Sequence, residues 1–452
     1  MRVIRRIPGL KTLSAGVQSR GMNQATPSRI RAWTVVIAAF GMNLVIGALY
    51  AWSVIGKALV GQWHWTKTQA MLPFATETVC CAITMIFAGR WQDRIGPRYV
   101  AMLGGIIFGL GLVLSSLVRT CLPMLFTFGV ICGVGIGLGY SATTPPSIKW
   151  FPPERKGLIT GIVVSGIGLA AVYMSPLANY LLKVNGIQHT FLILGIGAIV
   201  LVVLLAQVLA NPPAGYVPAP ARAVTTSQTK PAPSARRELD WHEMLQTGQF
   251  YQLWFMLILS ASAGLLIIGN ITLIAQDQAP KWDSAFILVM VVAIFNTCGR
   301  FLSGFVSDRI GRTNTMILAF VLQAINMFVF VQYKTPALLL FGSAFTGLCY
   351  GTIFTLFPAA TADFYGVRNL GVNYGSLFTA FGVAGVTGAV IGGRIRDWLG
   401  SYNYAFIMCG IMLLVGASLA FFLKAPQTAS APMPAAPTGD ATEPAAPEVA
   451  RR

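Results

Sequence analysis

One arginine sits at the end of a long apolar run. Residues Phe286 to Gly299 carry no charge, and Arg300 follows them directly. A guanidinium inside such a stretch is costly and is normally retained for a partner. Its planar fork of donors matches a carboxylate through two parallel hydrogen bonds. Two partners are open to it: an anionic ligand, or a structural ion pair with another helix, for which Glu77 is the obvious carboxylate. Asn296 stands one helical turn earlier and is placed to orient the guanidinium or the ligand. Glu77 is the first acidic residue of the chain and also lies among apolar residues. A carboxyl there can take up and release a proton. The alternative is a partly hydrated group hydrogen-bonded to Thr76 or Thr78.

Other chemistries find no support. The seven cysteines (Cys80, Cys81, Cys121, Cys132, Cys298, Cys349 and Cys409) lie in or beside apolar stretches. They form no CxxC pair and no Cys/His cluster, so neither disulfides nor a metal site is expected, and they read as small packing residues. No nucleophile–base–orienter set emerges, so an enzyme is not expected, and nothing calls for a cofactor. The glycine-rich stretches at 133–139, 161–168 and 375–388 lack a P-loop lysine. Small residues at three- and four-residue spacing instead permit close helix packing.

The elements that must hold Arg300 and Glu77 follow from composition. The chain has 452 residues, of which 55% are hydrophobic and only 10% charged. A soluble chain of that size would carry roughly a quarter charged residues. Apolar runs of about 20 residues, long enough to span a bilayer, are expected at 30–56, 66–89, 98–118, 121–148, 157–183 and 187–211. Six more follow at 250–276, 283–306, 313–333, 336–360, 370–394 and 400–424. The predicted fold is an all-α membrane protein: twelve transmembrane helices in two pseudo-symmetric six-helix bundles, 30–211 and 248–424. Residues 212–247, rich in Pro, Ala, Ser and Thr, read as a solvated cytoplasmic linker. Residues 425–452 read as a disordered Ala/Pro tail.

Charge placement sets an expected orientation. The net charge is +18, but its basic residues cluster in short segments between apolar runs, which signals topology rather than nucleic-acid binding. Lys57, Lys67, Arg119, Lys183, Lys281, Lys334, Arg394 and Arg396 fall on one side. All other Lys and Arg residues except Arg300 fall on the side of both termini, which are therefore expected to be cytoplasmic. Residues 1–29 are basic and lack Asp and Glu. They read as a cytoplasmic tail, with a transit-peptide-like segment or a start at Met22 as alternatives.

An internal repeat links the halves. Gly89, Asp93, Arg94, Ile95, Gly96 and Arg98 after the second span recur as Gly304, Asp308, Arg309, Ile310, Gly311 and Arg312 after the eighth. Trp150-Phe151-Pro152 and Leu356-Phe357-Pro358 close the fourth and tenth. Such repetition marks a duplicated bundle. The loop G-x-x-x-D-R-x-G-[PR], present twice at the matching helix pair, resembles the signature of the major facilitator superfamily over nearly all of residues 30–424. Tyr50-Ala-Trp52, Tyr140 with Lys149-Trp-Phe-Pro and Arg155-Lys-Gly157, Asn296 to Arg300, and Asn369 to Gly375 resemble its oxalate/formate antiporter branch, which is related to the monocarboxylate transporters.

The resemblance carries implications. It assigns the arginine matching Arg300 to substrate-carboxylate binding. It places Tyr50, Trp52, Tyr140, Tyr350 and Phe354 in helices that line the transport cavity, with ordinary packing as the plain alternative for each. Asn296 stands where proton-coupled monocarboxylate transporters have an acidic residue. Phe381 stands where the oxalate transporter has a second cation, a lysine, which favours a monoanion here. Asp93, Arg94, Arg98, Asp308, Arg309 and Arg312 are expected to gate the cytoplasmic side, or else only to set topology. Glu77 is the candidate for proton coupling.

The expected function is therefore secondary active transport of a small monocarboxylate (formate, lactate, pyruvate or glycolate) by alternating access, in a bacterial inner membrane, by a monomer. The alternatives are oxalate/formate exchange, a facilitator for another small solute, or a transporter-like carboxylate sensor.

Overall fold

The computed structural model describes residues 29–47, 51–152, 155–213, 216, 238–366 and 369–424, without the side chains of Arg29, Asp93, Lys156 and Gly157. Tyr50 and the two termini lie outside the described residues.

The described chain is built from helices. In order these are α1 (Arg29–Ile46), α2 (Trp52–Trp63), α3 (Lys67–Ile95), α4 (Pro97–Ser115), α5 (Cys121–Met124), a π-helical stretch (Leu125–Cys132), α6 (Gly133–Ser141), α7 (Thr144–Lys149) and α8 (Lys156–Ala206). Then come α9 (Trp241–Leu245), α10 (Gly248–Gln278), α11 (Phe286–Ile310), α12 (Arg312–Phe330), α13 (Pro336–Tyr365) and α14 (Leu370–Gly385). A second π-helical stretch (Val386–Val390), α15 (Ile391–Leu399) and α16 (Asn403–Phe421) complete the chain.

Among the described residues, ten helical segments are long and apolar enough to cross a membrane. They resolve into the expected twelve spans for two reasons. The longest segment, Leu158–Ala206, breaks at Gly186, whose φ of 71° and ψ of 178° leave the helical region. A positive φ is a conformation that glycine adopts freely. The first span is shared between α1 and α2, each shorter than a full crossing.

Termini of the spans follow local chemistry. Thr66 caps α3 in a capping box with Gln69, satisfying two otherwise orphaned backbone donors. Both repeated loops end their helix at a glycine, Gly96 and Gly311, each with φ of 90°. That shared backbone turn is the structural content of the repeat.

The end of the expected linker is folded. Asp240 and Glu243 make a capping box on α9, Leu239 and Met244 are buried, and the Leu239 N–H donates to the Tyr365 carbonyl at 3.1 Å. Asn369 and Asn373 both donate to the Leu239 carbonyl. Two apolar side chains and a cap are enough to dock this segment on the second half, a signal masked by the Pro/Ala-rich composition before it.

Within each half, helices approach where glycine leaves no side chain. Methyls on Gly299, Gly347 or Gly351 would run into the Leu348, Val292 and Asn296 carbonyls, so α11 and α13 touch backbone to backbone. In the first half, Gly133 and Gly137 of α6 lie against α3 at Glu77, Cys80, Cys81 and Thr84. Between halves, α8 packs on α11, α3 on α14 and α15, and α2 on α10. These contacts set Glu77 and Arg300 on opposite walls of one seam.

Candidate functional site

Arg300 is 7% exposed. Its Nε donates to Asn296 Oδ1 at 3.3 Å and its Nη1 to the Val164 carbonyl of α8 at 2.9 Å. The guanidinium carbon lies 4.4 Å from the centre of the Phe354 ring, a cation–π distance. Gly168 supplies the room: a methyl there would come within 3.7 Å of the guanidinium and 2.9 Å of Thr297 Oγ1. Among the described residues Arg300 makes no ion pair with a carboxylate, so its charge is held by two neutral oxygens and one ring. The Asn296 amide nitrogen is buried with no hydrogen-bond partner among the described residues.

Arg300 opens on a cavity of about 50 Å³ between the halves, lined by Glu77, Thr78, Cys81, Met85, Ile136, Tyr140, Val164, Ile167, Leu265, Phe354, Phe378 and Phe381. Glu77 is 1% exposed, and its Oε2 has no hydrogen-bond partner among the described residues. Thr76 and Thr78 donate their hydroxyls to the Leu72 and Ala75 carbonyls. The aromatic wall is built by α13 and α14: Phe354 and Phe381 are 5.9 Å apart, and Phe378 stacks on Phe381 at 4.9 Å and 16°.

The structure thus gathers Arg300, Tyr140, Phe354, Phe381 and Glu77 around one space, with Asn296 behind the guanidinium. Two other aromatics lie elsewhere. Trp52 donates its indole N–H to the Ala70 carbonyl at 2.9 Å and packs on Phe128 at 4.1 Å, away from the cavity lining. Tyr350 stands behind Phe354, its ring 5.3 Å away, beside a small void between α10, α12, α13 and α16. Phe378 was not anticipated, although it precedes Phe381 by one turn on the same face.

The repeated loops and the opposite end of the molecule differ. Arg312 pairs with Asp308 at 3.1 Å and Asp363 at 3.5 Å, Arg98 bonds to Gln207, and Arg309 lies 4.1 Å over Phe305. Each of these contacts stays within its own half. Arg94 is exposed. At the other end, Lys67 of α3 reaches Asp277 of α10 at 2.9 Å, and Arg396 of α15 shares that carboxylate. Asp397 accepts from the Lys67 and Thr68 backbone N–H groups at 3.1 and 2.8 Å and from the Thr68 hydroxyl at 2.6 Å. A carboxylate at a helix N-terminus is favoured by the exposed N–H groups and the helix dipole. This cluster ties the halves together. In the sequence Asp277 and Asp397 look like ordinary loop-flanking charges.

The family model of the Major Facilitator Superfamily matches residues 32–332 and 282–451. The chain belongs to the Major Facilitator Superfamily. Among its relatives in that superfamily is an uncharacterized MFS-type transporter of Escherichia coli, YhjX, 28% identical over 80% of this chain and 88% of the relative. The oxalate:formate antiporter of Oxalobacter formigenes is 27% identical over 87% of this chain and 91% of its own. Mouse monocarboxylate transporter 14 is 24% identical over 85% and 88%. A bacterial homolog of the human lysosomal transporter Spinster, solved inward-facing and unoccupied, superposes with a TM-score of 0.63 at 14% identity, covering 88% of this chain and 97% of that one. Membership makes this facilitator a multi-pass membrane transporter of a small molecule, not an enzyme.

Proposed function

We propose that this facilitator carries small monocarboxylates, with Arg300 as the counter-charge of the substrate. The observation that carries the reading is the isolation of that charge. A buried cation without an anion is expensive, and the groups around Arg300 leave it for something that enters the cavity. A carboxylate would accept from the free edge of the guanidinium, and the Asn296 amide adds a donor beside it. The phenylalanines and Ile136 would hold the short apolar remainder and exclude water. A cavity near 50 Å³ is far below the ~150 Å³ that accepts benzene, which in this conformation suits the smallest acids, formate first.

Charge counting favours a monoanion over oxalate. Phe381 puts a ring where the oxalate branch has its lysine, so a second carboxylate would be buried unpaired, at a cost of several kcal/mol. Glu77, on the facing wall, is the carboxyl placed to move a proton with the anion; exchange of one monoanion for another would not need it. Release follows when the halves rock about the site, with both termini and the repeated loops on the cytoplasmic side of an inner membrane.

The test is flux in liposomes with formate, lactate, pyruvate and oxalate supplied singly, with and without a pH gradient. A monocarboxylate should lead at neutral pH. Oxalate faster than every monocarboxylate would sink the charge-counting argument.

A further inference from the structure

A second cavity, of about 430 Å³, lies between α2, α8, α10 and α11 at the end of the molecule where Asp277 joins the halves. Lys57 of α2 and Lys183 of α8 line it, with Gln62 and Asn179 beside them and Asp283 as the acidic group on its rim. Neither lysine has a carboxylate within ion-pair distance among the described residues. This contrasts with the neighbouring wall, where Lys67 and Arg396 are both taken up by Asp277. One side of this end is thus charge-neutralised and closed, while the other is open and keeps its cations free.

The cavity and the central site are both lined by α10. The cavity's floor is the contact of α10 with α2, where the Thr272 hydroxyl donates to the Ser53 carbonyl. Leu265, which lines the cavity of Arg300, lies two turns below Thr272 on α10, about 10 Å along the helix. A funnel with two cations against one anion, flanked by low-dielectric walls, concentrates small anions before the narrow step.

We propose that this cleft is an anion-capture vestibule, in which Lys57 and Lys183 hold a small carboxylate transiently before it passes Thr272 to Arg300. The proposal rests on the carboxylate-transport reading above. Lys57 and Lys183 act here by charge, so either can be exchanged for arginine without loss. Asp283 works against them.

The test uses liposomes with the full chain in one orientation and labelled formate as the probe, at low and high ionic strength. The double variant Lys57→Gln/Lys183→Gln should raise KM from the vestibule face about fivefold at low salt, with kcat unchanged. The rise should fade at high salt and be absent when formate is supplied from the opposite face. Asp283→Asn should lower KM at the vestibule face, an effect that damaged packing would not produce, and it decides the matter alone if the double variant fails to fold. An unchanged KM in both, or a rise equal at both faces and at both salt concentrations, would overturn the vestibule. Wild-type protein that carries formate, with lysine variants indistinguishable from it, refutes the vestibule only. Wild-type protein that moves none of the carboxylates overturns the transport reading and the vestibule with it.

Discussion

Cations meet the seam between the halves in two places, half-buried at one end and buried at the centre, and they are treated differently. At one end Lys67 and Arg396 converge on Asp277, and Asp397 caps the start of α3. At the centre Arg300 has, among the described residues, only Asn296, a backbone carbonyl and the Phe354 ring. In the proposed cycle, paired charges that link the two halves set the balance between states, and an unpaired charge on the path between them waits for a ligand. The same residue type therefore reads as a closure in one region and as a binding group in the other, and the deciding observation is the presence of a carboxylate within reach.

The contrast can be broken at its centre first. Phe381→Lys would place a second cation beside the cavity of Arg300 and should raise the oxalate-to-formate flux ratio by at least about tenfold; competition flux with the two acids reads it. An unaltered ratio would remove Phe381 from the substrate's surroundings. Gly351→Ala attacks the positioning of Arg300 instead. Its methyl would run into the Asn296 carbonyl, so α11 and α13 must part, at a cost of about 1–3 kcal/mol, seen as a lower Tm together with weaker formate binding. Asp277→Asn removes the shared anion of the closed end. The closed-to-open ratio should fall roughly fivefold, about 1 kcal/mol for a partly exposed network, and thiol labelling of a cysteine placed at Thr272 should speed up accordingly. The smallest effect is expected of Glu77→Gln: exchange of formate for formate should stand, while any stimulation of uptake by a pH gradient disappears. A gradient effect that survives this substitution would assign proton movement to another group.

Much of this was legible from the chain. The twelve spans, the break near Gly186 and the repeated loops follow from apolar run length and punctuation. Arg300 stood out because a single charge in an apolar run has no cheap explanation. What escaped was tertiary. Trp52 has the composition of a cavity wall, yet its indole N–H finds a partner in Ala70 and its ring a neighbour in Phe128, so it packs within its own half. Phe378 joined the site through its stacking on Phe381, which depends on side-chain direction rather than residue type. Asp277 and Asp397 are separated by 120 positions in the chain, and only the fold brings them to the same lysine-bearing helix start. The docking of Leu239 and α9 was hidden because ten ordered residues follow a long stretch of opposite composition.

The most direct measurement is the affinity of purified Arg300→Lys for formate and lactate against that of the wild type, read by ligand-induced thermal shift and by liposome flux. Lysine keeps the charge but loses the planar fork and the contact with Asn296. A charge-assisted pair is worth about 1.5–3 kcal/mol, so binding should weaken about 10- to 100-fold while the protein remains folded. Unchanged carboxylate affinity in a folded Arg300→Lys protein would contradict the assignment of Arg300 as the counter-charge of the substrate.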